Sequence, residues 1–521
     1  MEIKQFLKNQ NEKIRELSIN CSTTYWDASI SGEKQDYDKY NQAIITSEEF
    51  FNNKENFEKI KEFLKLEELE DIEKRQLTLL KNMYLGSQGD LDLLKQIAQL
   101  STKIENQFNT FRAEINDKKL TTNEIKEILL TSKDNKELET AWKASKKNGK
   151  LVEKDLLNLV KLRNQLAKSL GFNNFYEMSF ELSEQNIDET ESLFENLINE
   201  TQNSYQEVKN EIDEYLSKKF SISKSELKPW HYHDLFFQEG PQIYNTNLND
   251  YYKKDVINIA KNYYNSLEIN VENILKRSSL YEQSGKCEHA YCIDIDRDED
   301  VRIFQNTKNN EKWMDTTLHE LGHAIYCKHL NQELPFILKD SAHTFTTEAI
   351  ALLFGRNSKN EKFIENYTEK SLGDIKENVQ KELRLRQLVF SRWCQVMFYF
   401  EKELYKNPDQ NLNKLWWNLV KKYQLIDFIS DEPDWASKFH LVSAPVYYHN
   451  YLLGELLASQ LKNYIKKTFS PKNSDYSNEL IIGKYLIEKI FNPGKSVKWD
   501  QLITEATGEP LNPKHFINEF N

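Results

Sequence analysis

Cysteine and long apolar runs are scarce in this chain of 521 residues. Its five cysteines are odd in number and scattered, which argues against the disulfide framework of a small secreted protein. No apolar run approaches the ~18 residues of a membrane span, and residues 1–8 lack the apolar core of a signal peptide. We therefore expect a cytoplasmic protein with no transmembrane segment.

Basic residues are fewer than acidic residues. The chain has 70 Lys and Arg residues against 82 Asp and Glu residues, which gives a net charge of -12 at pH 7. This balance disfavours nucleic acid or an anionic membrane as the main partner. The sequence does not determine the oligomeric state.

Proline is absent before Pro229, and the chain up to that point favours helices. Apolar residues recur there every three or four positions. The clearest run is Leu94, Ile97, Leu100, Ile104, Phe108 and Phe111. Strand signals are confined to residues 290–295 and 301–305, which predict one hairpin. Further helices are predicted at 380–404, 412–426 and 447–466, with a linker-like loop at 470–478. We therefore expect a mainly α protein in which nothing demands a separate domain.

One motif predicts a metal site, the run Leu318-His319-Glu320-Leu321-Gly322-His323. Histidines four positions apart on a helix emerge from one face, so both imidazoles can bind one metal ion. Glu320, between them, is placed to act as a general base, and Glu348 in a second helical stretch can supply a third ligand. Three protein ligands leave one position of a zinc ion open, as in catalytic sites. The alternative is a chance pair of histidines on a charged surface.

Several other blocks accompany this motif. In order, Cys-Glu-His-Ala stands at 287–290, Arg-Ile-Phe-Gln-Asn-Thr at 302–307 and His-Glu-Leu-Gly-His-Ala-Ile-Tyr at 319–326. Further blocks lie at 234–238, 416–424, 438–440 and 448–451. Together they span about residues 230–455 and resemble the angiotensin-converting-enzyme-like zinc peptidyl-dipeptidases. The resemblance implies a helical zincin: one catalytic unit over residues 1–521, with two helical subdomains flanking a deep central cleft and a small antiparallel hairpin beside the zinc helix.

Matched position by position, the resemblance implies catalytic roles. One zinc ion would be bound by His319, His323 and Glu348, and Glu320 would act as general base and acid. His440 and Tyr451 match the donors to the oxyanion. The residues alone leave Tyr451 open to a different interpretation, an aromatic side chain packed in an apolar helix.

The resemblance also implies how a peptide would bind. Gln238, Lys438 and Tyr448 match residues that bind the substrate's C-terminal carboxylate, and Tyr447 is a rival for the role of Tyr448. On its own, Lys438 would be an ordinary surface lysine. His289 and Ala290 match the strand along which an extended peptide pairs.

Four positions depart from the family's pattern. Val420 and Asn450 stand where the family has two chloride-binding arginines. Asn306 stands where a cysteine would pair with Cys287, and Leu352 replaces an acidic residue that supports the metal ligands. We therefore expect no chloride activation and no disulfide at Cys287.

These features predict a zinc peptidase that releases dipeptides from the free C-terminus of short peptides. An oligoendopeptidase or a one-residue carboxypeptidase of a related helical family is the nearest alternative. An inactive peptide-binding protein is a third possibility, which the intact set of motif residues disfavours.

Overall fold

Helices dominate the computed structural model, which describes residues 2–521. The first part of the chain forms α1 (Glu2–Ser31), α2 (Lys34–Phe51), α3 (Lys54–Phe63), α4 (Asp71–Gly86), α5 (Leu91–Thr110), β1 (Ala113–Ile115), β2 (Lys118–Leu120), α6 (Thr122–Thr131), α7 (Asn135–Ser169), α8 (Phe175–Leu182) and α9 (Ile187–Phe220). The middle forms α10 (Val256–Asn265), α11 (Glu272–Arg277), β3 (Tyr291–Asp294), β4 (Val301–Phe304), α12 (Glu311–Lys328), α13 (Thr344–Gly355) and α14 (Glu361–Thr368). The last part forms α15 (Lys376–Lys406), α16 (Leu412–Gln424), α17 (His440–Ser443), α18 (Tyr448–Phe469), α19 (Leu480–Leu486), α20 (Trp499–Thr507) and α21 (Lys514–Phe520). The mainly α fold is confirmed.

The predicted later helices and the predicted hairpin are present. Helices α15, α16 and α18 match the three predicted segments, with ends that differ by no more than about four residues. Strands β3 and β4 pair antiparallel, from Tyr291 opposite Phe304 to Asp294 opposite Val301. Periodicity was therefore sufficient to find these elements.

The prediction that strands occur only at this hairpin is wrong. Strands β1 and β2 form a second antiparallel hairpin, with Ala113 opposite Leu120. Asn116 and Asp117 make its turn with φ values of 50° and 61°, the signs that a two-residue type I′ turn requires. Strands of three residues are too short to show an alternating pattern, so only the Asn-Asp pair signalled the turn.

The chain divides into two compact units, each assembled from segments distant in sequence. The first unit contains Met1–Gln88, Asn247–Lys376 and Leu453–Phe516. The second contains Gly89–Thr246, Glu377–Leu452 and Ile517–Asn521. That both units act as one catalytic unit stays a prediction.

Each unit has its own apolar core. In the first unit, Leu7, Leu77 and Leu80 from α1 and α4 pack into one cluster with Phe336. In the second, Phe194 of α9 and Phe398 of α15 are buried with ring centroids 5.1 Å apart. Within residues 2–521, no helix combines the length and the apolar character needed to cross a bilayer.

Candidate zinc centre and substrate-binding residues

Helix α12 carries the two histidines of the motif. Asn310 caps its start, because Asn310 Oδ1 accepts the N–H of Trp313 at 3.0 Å and so pairs one of the amides that a helix N-terminus leaves free. The helix buries an apolar stripe of Met314, Leu318, Leu321 and Ile325. His319 and His323 lie one turn apart, with ring centroids separated by 4.9 Å.

Glu348 of α13 brings a carboxylate to this pair. Its Oε1 lies 3.6 Å from His319 Nε2, and its Oε2 lies 3.6 Å from His323 Nε2. Donor atoms of the three residues all lie within 4.8 Å of one another. Zinc with tetrahedral bonds of about 2.0–2.1 Å keeps its ligand atoms about 3.3 Å apart, so a small contraction would fit this set to zinc. Two imidazoles and one carboxylate also form a donor set typical of catalytic zinc.

Two glycines allow close packing around the three ligands. A Cβ at Gly322 would lie 2.7 Å from the Cα of Ala351, so α12 and α13 meet backbone to backbone. A Cβ at Gly454 would lie 3.0 Å from Cγ of Glu348, so the third ligand packs directly over that glycine. Neither glycine was predicted as a site residue. Gly322 lies inside the motif, and its lack of a side chain was the available signal.

Each of the two histidines has a polar neighbour. Thr347 Oγ1 lies 2.8 Å from His323 Nδ1, which leaves Nε2 of that ring for a metal ion. Asp315 stands one turn before His319 on α12, and its charge favours the protonated form of His319. Leu352 stands where the family has an acidic residue that supports the ligands, and the sequence alone did not identify Thr347 or Asp315 as neighbours of the histidines.

Burial and neighbouring charges together set the pKa values of the motif residues. Burial raises the pKa of Glu320 to about 7, and the charge of His319 opposes that rise. Burial disfavours charge on His319 as well, but four carboxylates led by Glu348 outweigh it and raise the His319 pKa. Burial and the His319 charge together lower the pKa of His323 well below its usual value. A carboxyl group with a pKa near neutrality can both accept and return a proton.

His289 and Ala290 lie in the extended segment that leads into β3, and the His289 side chain is exposed. Strand β3 pairs with β4 along one edge, and no other strand among residues 2–521 pairs along its second edge. Lys286 anchors this segment because its buried ammonium donates hydrogen bonds to three backbone carbonyls. The acceptors are Ser279 at 3.0 Å, Tyr281 at 2.8 Å and Gln305 at 2.6 Å.

The second unit brings together the three residues matched to carboxylate binding. Gln238 Oε1 accepts hydrogen bonds from Lys438 Nζ at 2.7 Å and from the Tyr448 hydroxyl at 3.3 Å. Lys438 is 5% exposed, so the interpretation as an ordinary surface lysine is wrong. Burial lowers the Lys438 pKa to about 8. Its ammonium also faces the rings of Trp393, Tyr448 and Phe236 at 4.9, 5.0 and 5.1 Å.

The residues matched to oxyanion donors lie near this group. The His440 ring lies 4.8 Å from the Tyr448 ring, and the Tyr451 ring lies 5.4 Å from it. Tyr451 is only half-buried, unlike an aromatic of the helix core. Tyr447 packs against the Tyr451 ring at 5.1 Å, whereas the hydroxyl of Tyr448 reaches Gln238, which supports Tyr448 over Tyr447 for carboxylate binding.

Three of the positions that depart from the family's pattern have local contacts of their own. Asn306 Nδ2 donates to the backbone carbonyl of Cys287 at 2.9 Å, and all five cysteines are free thiols. Asn450 is buried and its Oδ1 accepts from Gln185 Nε2 at 2.8 Å. Val420 is buried and lines the same cavity as Lys146, whose pKa is lowered to about 7 by burial against the opposing charge of Asp434.

A mainly helical protein with a His-Glu-x-x-His helix and a third ligand from the next helix has the framework of a metallopeptidase. A family model described as Angiotensin-converting enzyme matches residues 1–232 and 240–520 of this chain. The chain therefore belongs to the angiotensin-converting-enzyme family, a family of peptidases. The match leaves out residues 233–239, which include Gln238.

Curated relatives align over part of the chain. An "Angiotensin-converting enzyme" of Theromyzon tessulatum is 25% identical over 236 residues, which are 42% of this chain and 38% of that protein. "Carboxypeptidase 1" of Bacillus subtilis (strain 168) is 26% identical over 259 residues, 44% of this chain and 51% of that protein. An "Angiotensin-converting enzyme" of Haematobia irritans exigua is 26% identical over 245 residues, 42% of this chain and 39% of that protein. The aligned part of the chain thus spans about half or less of the length of each of these relatives.

Proposed function

We propose that the protein is a zinc-dependent peptidyl-dipeptidase that releases dipeptides from the free C-terminus of short peptides. The observation that carries this proposal is the convergence of Lys438 and Tyr448 on one oxygen of Gln238. One cation and neutral hydrogen-bond donors, held together in a buried place, suit a carboxylate. A requirement for a free carboxylate is what distinguishes release from a chain end from internal cleavage.

The metal-ligand set supports the hydrolytic step of this proposal. Zinc bound by His319, His323 and Glu348 would supply Lewis-acid polarisation of the scissile carbonyl and would lower the pKa of water. Glu320 would take a proton from the attacking water and return it to the leaving amine. His440 and Tyr451 would donate hydrogen bonds to the oxyanion that develops on the carbonyl oxygen.

The hairpin supports a mode of peptide binding. The second edge of β3 offers backbone N–H and C=O groups that an extended peptide can pair with. His289, exposed and next to that edge, would contact the peptide backbone beyond the scissile bond.

The free thiols of the chain support a proposal that it works in a reducing compartment such as the cytoplasm. Cell fractionation tests that location.

Similarity to the Carboxypeptidase 1 of Bacillus subtilis favours a second candidate, a carboxypeptidase that removes one residue at a time. Mass spectrometry of the products from paired peptides with free and amidated C-termini separates the candidates. Dipeptide products from the free peptides alone support the proposal, and single residues support the second candidate. Internal fragments from both peptides would indicate an oligoendopeptidase, and no cleavage by zinc-loaded protein would indicate a peptide-binding protein.

A further inference from the structure

The connection from His440 to α18 contains a strained residue in the second unit. Val446 has a φ of 55°, in the left-handed region that favours glycine and that a β-branched side chain rarely adopts. Such a conformation persists only where surrounding contacts hold it, and it clusters at functional sites. His440 begins α17 on one side of the connection, and Tyr451 lies in the first turn of α18 on the other.

Two backbone carbonyls of this connection lack their usual helical partners. If α17 continued, the Leu441 carbonyl would accept from residue 445, but Pro445 has no N–H. The Val442 carbonyl would accept from Val446, but the N–H of Val446 points to another acceptor. Both carbonyls therefore need donors from elsewhere, because burial without a partner is costly.

Arg163 of α7 supplies those donors. Its Nη1 donates to the Leu441 carbonyl at 2.9 Å, and its Nη2 donates to the Val442 carbonyl at 2.8 Å. The guanidinium also donates to the Tyr405 hydroxyl at 3.2 Å, and the residue is 5% exposed. A planar fork held in this way fixes both carbonyls at once, which a lysine could not do.

Glu401 of α15 binds the connection at Val446. Its Oε1 accepts the N–H of Val446 at 2.8 Å, and the residue is 2% exposed. This hydrogen bond takes an amide that would be needed to extend α17, and the helix ends at Ser443. Arg163 then pairs the carbonyl that the end of the helix leaves behind.

We infer that Arg163 and Glu401 are positioning residues that fix residues 441–446 and thereby the side chains on either side of that connection. Both act through the backbone, Arg163 on carbonyls and Glu401 on an amide. The inference rests on the proposed function in one respect, the catalytic roles given to His440 and Tyr451.

The test uses two substitutions of Glu401 in the chain of 521 residues loaded with zinc. Glu401→Met removes the acceptor and keeps the bulk, whereas Glu401→Gln keeps a carbonyl acceptor for Val446. We expect the Met variant to lose about 10- to 100-fold in kcat, since small misplacements of reacting groups have effects of this size. The Gln variant should stay close to wild type. Zinc content should not change, because the three candidate ligands lie on α12 and α13.

Hydrogen exchange supplies a measurement that does not depend on activity. Amides of residues 446–451 should exchange faster in Glu401→Met than in wild type or Glu401→Gln. Glu403→Met is the matched control, because Glu403 lies on the same helix and pairs with Lys406 at 3.7 Å near the surface. It should change neither kcat nor exchange at 446–451. Arg163→Lys, which keeps the charge but loses the fork, should also speed exchange at 441–446 and covers the case in which Glu401→Met does not fold.

A second test addresses the strain itself. Glycine adopts a φ of 55° without a steric penalty. Adding Val446→Gly to Glu401→Met should therefore recover part of the lost kcat, and no recovery would overturn the assigned role of the strained residue.

The remaining outcomes separate a failure of this inference from a failure of the proposed function. Unchanged exchange at 446–451 in Glu401→Met would overturn the inference, as would faster exchange with unchanged kcat. If wild type releases no dipeptides but Glu401→Met still loses kcat on the peptides it cleaves, the proposed function fails and the positioning role stands.

Discussion

Replacing Lys438 by methionine is the sharpest test of carboxylate recognition. Methionine keeps an unbranched side chain among the rings of Phe236, Trp393 and Tyr448 but removes the ammonium. A hydrogen bond to a charged partner contributes about 1.5–3 kcal/mol, so kcat/KM for a peptide with a free C-terminus should fall about 10- to 150-fold. An amidated peptide loses less, because its C-terminus carries no negative charge to attract the ammonium. The preference for the free peptide should therefore shrink by roughly tenfold.

The assay compares kcat/KM for one peptide with free and amidated C-termini, with products separated by mass spectrometry. Lys421→Met is the control, because Lys421 is an exposed lysine of the same unit that pairs with Asp427 at 3.0 Å. Its loss should leave the preference unchanged, as a surface ion pair contributes little. An equal fall for both peptides in Lys438→Met would mean that Lys438 supports the fold and does not bind the carboxylate. An unchanged preference would refute the reasoning outright.

Four further predictions test the rest of the site. Glu320→Gln should retain zinc by metal analysis but lose at least about 10²-fold in kcat, since it removes the proton carrier and no ligand; near-normal turnover would contradict its role. Tyr451→Phe should lower kcat by about 10²- to 10³-fold at unchanged thermal stability, and a change confined to KM would make Tyr451 a binding residue. Burial lowers the Lys438 pKa to about 8, so its positive charge is lost as pH rises through 8. The preference for a free carboxylate, measured as kcat/KM, should therefore decline above pH 8. In Lys438→Met the preference should not change with pH. Exchanging acetate for chloride at constant ionic strength should not change kcat/KM, because Val420 and Asn450 carry no charge, and a saturable several-fold rise would show that another cation binds chloride.

Several local features could be predicted from the sequence because helix geometry decides them. Histidines four residues apart must share a face of α12. The asparagine before that helix caps it through a hydrogen bond to an amide three residues later, which needs no distant part of the chain. The long helices followed from apolar periodicity, and the hairpin at β3 and β4 followed from two short strand-like runs that flank an acidic connection.

Other features depended on long-range packing, which local periodicity does not encode. The position of Glu348 beside the histidines requires close contact of two helices at Gly322, and Gln238 meets Lys438 across 200 positions of the chain. The family resemblance, and not periodicity, pointed to that second pair.

The roles of Thr347, Arg163 and Glu401 became visible only in the tertiary structure. Thr347 and Glu401 each act through one hydrogen-bonding atom and Arg163 acts through two, and the partners lie on another element or connection. Sequence determined which side chains share a helix face, because the helix repeat is fixed by backbone geometry. Tertiary structure decided which faces meet, because that depends on burying apolar side chains from segments distant in the chain.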